Sequence, residues 1–133
     1  MANLHITSDE LVKAVQDALN DYADDIKDGM KDIALKLGKE GADELKHNGT
    51  FKDRTGTYRK NWAYKDQSTD KKVDVVIHNK KPTYRLTHLL ENGHYIRNTG
   101  KRTKSYEHIY PVDTRVVREY EKEVKEMIKR GTR

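Results

Sequence analysis

The sequence contains no cysteine, one phenylalanine, one tryptophan and two prolines among its 133 residues. Without cysteine there is no disulfide framework, no thiolate metal site and no cysteine nucleophile, which suits a reducing cytoplasm. No apolar run approaches the ~18 residues that a membrane span needs. The mixed, short stretch Met1–Thr7 gives no expectation of a charged-then-apolar leader. Core-forming side chains are scarce too. Hydrophobic residues make up 34% and charged residues 37%, with a mean hydropathy of -1.06. Leu, Ile, Val and Phe number 26, close to the level of about 20% below which highly charged chains tend to be disordered. Eight tyrosines offset this, because a ring buries a large area while keeping a polar handle. The expectation is a single domain over 1–133, marginally stable alone and completed by packing against copies of itself or a partner.

What charge is present is unevenly placed. The net charge is +5. Residues 1–47 hold 6 basic and 11 acidic side chains, a net of -5, whereas residues 48–111 hold 14 and 6, a net of +8. The last 22 residues, with 7 basic and 5 acidic, add +2. Such polarity suits head-to-tail contact between copies. It equally suits a basic nucleic-acid groove carried on an acidic helix.

The apolar residues Leu11, Val15, Ala18, Leu19, Tyr22, Ile26, Met30, Ile33, Leu37 and Leu45 recur at steps of mostly three and four. They predict one amphipathic helix over about 8–47. A Thr7–Glu10 capping box and an Ile6–Leu11 staple would start it, and His47-Asn48-Gly49 would stop it. Gly38 and Gly41 mark the expected break, unless the helix instead overhangs the domain. From about 50 to 111 the pattern changes to a sheet region with a short helix. Thr50–Arg59 reads as a loop, Trp62–Tyr64 and Val73–Ile77 as paired strands, and Tyr84–Asn92 as the short helix. Arg97–Ser105, with four cations and no apolar residue, is expected to be disordered in the free subunit and ordered by assembly. His108–Tyr110 reads as an edge strand before Pro111. Asp113 would then cap a C-terminal helix over about 113–130, its stripe formed by Val116, Tyr120, Val124, Met127 and Ile128. The class is α+β: a small antiparallel sheet packed against a long N-terminal helix and a C-terminal helix.

Little of this carries chemistry. His88, Glu91 and His94 form the only metal-like cluster, but His94 lies past Gly93, off the helix face. Ser8, Ser68 and Ser105 fall in a cap, a turn and a loop without nucleophile-elbow glycines. No enzyme, metal or cofactor is expected. Arg54, Tyr58, Arg59, Lys60, Trp62 and Tyr64 interleave cations with rings, as single-strand binders do, so a small basic nucleic-acid-binding protein is the alternative reading.

Three patterns then arrive in order: Thr55-Gly56-Thr57-Tyr58-Arg59-Lys60-Asn61-Trp62, His88-Leu89-Leu90-Glu91-Asn92-Gly93-His94, and His108-Ile109-Tyr110-Pro111. With the acidic N-terminal helix they resemble the head–tail joining, or tail-completion, proteins of long-tailed bacteriophages. Two positions depart from that pattern: Tyr58 stands where Leu is common, and Glu107-His108 where a Pro-Phe pair is common. The resemblance implies a non-enzymatic virion component at the neck, made in the host cytoplasm and assembled as a hexameric ring. It implies connector and tail proteins as partners, with at most weak, non-specific DNA contact and no membrane. It has no catalytic residues to transfer. Gly56, Leu89, Leu90, Gly93 and Pro111 are then the structural motif residues. Glu91, Arg97, Lys101, Arg102, Lys104, Arg54 and Arg59 are the candidates for subunit or partner contact.

Overall fold

The computed structural model describes residues 8–131, apart from the side chains of Ser8, Glu10 and Leu11. The Thr7–Glu10 capping box and the Ile6–Leu11 staple therefore lie outside what it describes. The order is α1 (Ser8–Leu45), α2 (Thr57–Lys60), β1 (Trp62–Asp66), β2 (Val75–Asn79), a 3-10 turn (Thr83–Arg85), α3 (Leu86–Asn92) and α4 (Ile109–Lys129). The fold is α+β. The two strands pair antiparallel, with Trp62 opposite Asn79, Tyr64 opposite Ile77 and Asp66 opposite Val75. β2 starts two residues later than its alternation suggests, because the turn claims Asp74: its N–H donates to Ser68 Oγ at 2.9 Å.

The expected break at Gly38–Gly41 does not occur; α1 runs unbroken through both. The glycines serve packing instead. A β-carbon on Gly38 would stand 2.8 Å from Val75 Cγ1, and one on Gly41 would stand 2.6 Å from Ile77 Cδ1 and 3.2 Å from Val116 Cγ2. At Gly29 it would come 2.1 Å from Met127 Sδ. Their missing side chains let the sheet and α4 lie directly on the helix backbone. We therefore expect Gly38→Ala to destabilise the fold by about 1 kcal/mol. The helix-propensity gain of ~1 kcal/mol is outweighed by overpacking of ~1–3 kcal/mol against a β-branched, rotationally stiff Val75. Thermal unfolding checks this, and a raised midpoint would show that the space exists.

The core is small and aromatic. Leu45, Phe51, Tyr58, Trp62 and Val112 are buried together, with Ile77, Leu90, Tyr106, Ile109 and Val116 packed around them. The rings meet edge to face, Phe51 on Tyr58 at 5.4 Å and Tyr58 on Trp62 at 5.8 Å between centroids. This is how a chain poor in aliphatic residues fills a core. His108 completes it, fully buried, its Nε2 2.8 Å from the Tyr58 hydroxyl.

α1 and α4 lie antiparallel, since Gly29 faces Met127 while Gly41 faces Val112 and Val116. Ion pairs Lys36–Glu123 and Arg115–Glu44 tie them across the same seam. α4 ends at Lys129, level with the middle of α1. Every described side chain from Val12 to Asp25 is exposed, so about 21 Å of helix at 1.5 Å per residue stands clear of the body.

Candidate functional site

The overhang is not a polar solvated rod. Val12, Val15, Leu19 and Tyr22 are 65%, 51%, 60% and 47% exposed. Their alternating steps of three and four continue through Ile26, Gly29 and Ile33, the repeat of a coiled-coil seam. From Ile26 onward the seam is at least partly covered by the body. Before that it is bare. Asp17, Asp21 and Asp24 project from the opposite side of the helix.

The second candidate region is built around α3. The Glu91 carboxylate reaches from α3 to the start of α4. Its Oε1 accepts the N–H groups of His108 at 2.7 Å and Ile109 at 2.9 Å, and its Oε2 that of Tyr110 at 2.9 Å. These are the donors a helix N-terminus leaves without an internal partner. Burial, the largest single influence, raises the Glu91 pKa. The three backbone donors and the neighbouring His108 together outweigh it and hold the carboxyl below its usual range. Burial, assisted by the Glu91 charge, pushes the Tyr58 hydroxyl pKa well up.

This explains the main departure from the sequence reading. His108–Tyr110 is not an edge strand. With Glu91 supplying the acceptors, the helix begins at Ile109, and Pro111 fits its first turn, where no N–H is required. Asp113 sits inside α4 and not at its cap.

After Gly93 the chain folds into a hairpin. Thr103 N–H donates to His94 O and Ile96 N–H to Lys101 O, each at 2.7 Å, and Tyr95 bridges Arg102. Gly93 has φ +70°, and a β-carbon there would meet Thr103 O at 2.7 Å, so only glycine lets the second arm close on the helix end. The stretch expected to be disordered is thus the outer half of a hydrogen-bonded hairpin. The apolar contribution comes from Tyr95 and Ile96, just outside the segment read as purely polar.

The candidate cations separate into two groups. Arg102 is committed internally: it donates to the Asn92 and Gly93 carbonyls at 3.2 and 3.4 Å and lies 4.5 Å over the Tyr95 ring. Its charge sits at the C-terminal end of α3, where the helix dipole favours it. Arg59 is committed too, donating to the carbonyls of Asn48, Gly49 and Phe51 at 2.6, 3.0 and 3.1 Å while covering the Phe51 ring. Lys104 rests 5.3 Å over Tyr106. Arg97, Lys101 and Arg54 are exposed. Gly56 takes φ +75° before α2, Leu90 packs on the core, and Leu89 is 40% exposed.

Of the interleaved rings of 54–64, only Tyr64, 40% exposed, is open to a stacking partner. Tyr58 and Trp62 are 2% and 4% exposed, and their faces are taken by each other, Phe51 and His108. Glu91 serves α4, and His94 Nδ1 lies 3.1 Å from Thr103 Oγ1. Among the described residues, no three His, Cys, Asp or Glu side chains come together as a metal site would require. No helix there is long and apolar enough to cross a membrane.

These features define a small α+β domain whose longest helix lies half outside its own core. The family model described as "Bacteriophage HK97-gp10, putative tail-component" matches residues 13–93, from α1 through the glycine that ends α3. The chain belongs to this family of bacteriophage tail components. No curated protein and no solved structure matches it.

Proposed function

We propose that this protein is a structural virion component of the phage neck that joins or completes the tail where it meets the head. In this reading it assembles as a ring, and the bare half of α1 supplies the contact between subunits. Its partners are other copies of itself and the connector and tail proteins. It performs no catalysis, and DNA contact is at most weak and non-specific. One observation carries the reading: a member of a tail-component family leaves a four-residue apolar stripe on its longest helix outside its own fold. Solvent exposure of such a stripe is unfavourable by roughly 1–3 kcal/mol per side chain until something covers it. The test is joining in vitro. Filled capsids and tails from a mutant phage lacking the protein should remain separate on mixing, and purified protein should convert them to joined particles. Joining at the same rate without it would contradict the proposal.

A further inference from the structure

We infer that the subunit contact is heterologous, with the acidic overhang of α1 in one copy lying on the basic α3–hairpin surface of the next. The inference rests on the assembly reading above and adds which two surfaces meet. Residues 8–25 carry six acidic side chains and one lysine, a net of -5, which leaves +10 for the remainder of the chain. Two overhangs paired with each other would bring -5 against -5. An overhang set on the body of a neighbour brings opposite charges together, and such head-to-tail contact builds a ring where the rotation between copies closes.

Two places on the body could receive an apolar helix face. One is the cleft of about 250 Å³ between α1, β2 and α4, lined by Val75, Val117 and Tyr120. The other is the α3–hairpin region, where Leu86, Leu89, Tyr95 and Ile96 are 40%, 40%, 68% and 42% exposed. Charge separates them. Residues 109–129 hold five basic and five acidic side chains, a net of zero, whereas residues 80–106 hold seven basic and one acidic, a net of +6. The one acid among them, Glu91, is turned inward onto α4. The α3–hairpin surface therefore presents apolar side chains within a nearly uniform positive field. The overhang presents apolar side chains backed by a negative one. The apolar contact supplies affinity, while the charges choose the partner surface and make association sensitive to salt.

The test uses the full chain and reads its association constant by sedimentation at low and physiological salt, with circular dichroism to confirm folding. Arg97→Glu with Lys101→Glu reverses two exposed cations of the hairpin. Asp9→Lys with Asp25→Lys reverses two exposed acids that flank the apolar stripe, one on each side of the overhang. Each pair alone should weaken association about tenfold or more, and all four substitutions in one chain should restore it to near the wild-type value. Three results would overturn the inference: normal association of the hairpin variant, no loss in the overhang variant, or no recovery in the fourfold variant. If the wild-type chain associates with itself at no concentration, the assembly reading fails along with the inference. Failure of the charge reversals alone leaves that reading standing and removes only this contact.

Discussion

Replacing Glu91 with alanine should lower the stability of the folded chain by about 2–4 kcal/mol, a drop of roughly 4 °C in unfolding midpoint for each kcal/mol. Among the described residues, the carboxylate is the only side-chain acceptor of the His108, Ile109 and Tyr110 N–H groups. His108 is fully buried, so water cannot readily substitute there. Loss of the acceptor therefore leaves a buried donor unsatisfied and frees the first turn of α4 from α3. Glu91→Gln, which keeps one acceptor oxygen but loses the charge, should cost about half as much. The pH dependence follows from the same contacts. The folded-state pKa of Glu91 is depressed below its ordinary 4.5. Its contribution is thus complete above that ordinary value and is lost as pH falls through the lower, folded-state value. Wild-type protein should lose stability across this acid window more steeply than Glu91→Gln. An unchanged midpoint in Glu91→Ala would show that α4 starts without its clamp.

Leu19→Asp with Tyr22→Asp should have the opposite signature, with stability untouched and association lost. Both side chains stand on the overhang, 60% and 47% exposed, and neither belongs to the buried core. In an assembled contact each would be worth about 1.5–3 kcal/mol of burial, and a buried, unpaired aspartate would add a further penalty. At 1.4 kcal/mol per decade the combined loss is at least about a hundredfold in association constant. The pair of measurements separates folding from assembly: Glu91 belongs to the first and the α1 stripe to the second.

The two ends of the fold were legible in the sequence because helical periodicity is a local signal. The pairing of Trp62–Tyr64 with the strand that follows was legible from alternation and the turn between them. The misreadings share a cause: each depended on a contact distant in sequence. Gly38 and Gly41 looked like helix breakers because their partners, Val75, Ile77 and Val116, lie 36 or more residues away. His108–Tyr110 looked like a strand because the cap that makes it a helix start comes from Glu91. Arg59 and Arg102 looked like free surface cations because the carbonyls they hold belong to a folded-back loop and a helix end. Tyr58 and His108, the positions where the chain departs from the tail-completion pattern, are hydrogen-bond partners 50 residues apart. The α1 stripe was visible in the sequence, but only the end of α4 at Lys129 shows which half of it stays bare.

The central claim is that this bare half of α1 is an assembly surface. Its most direct test is the solution mass of the purified chain, measured by light scattering across a concentration series, for wild type and for Leu19→Asp with Tyr22→Asp. The account predicts a wild-type mass that rises with concentration toward a closed multiple of the 15.5 kDa chain, and a variant that stays at 15.5 kDa with the same unfolding midpoint. Equal masses for the two proteins at every concentration would contradict it.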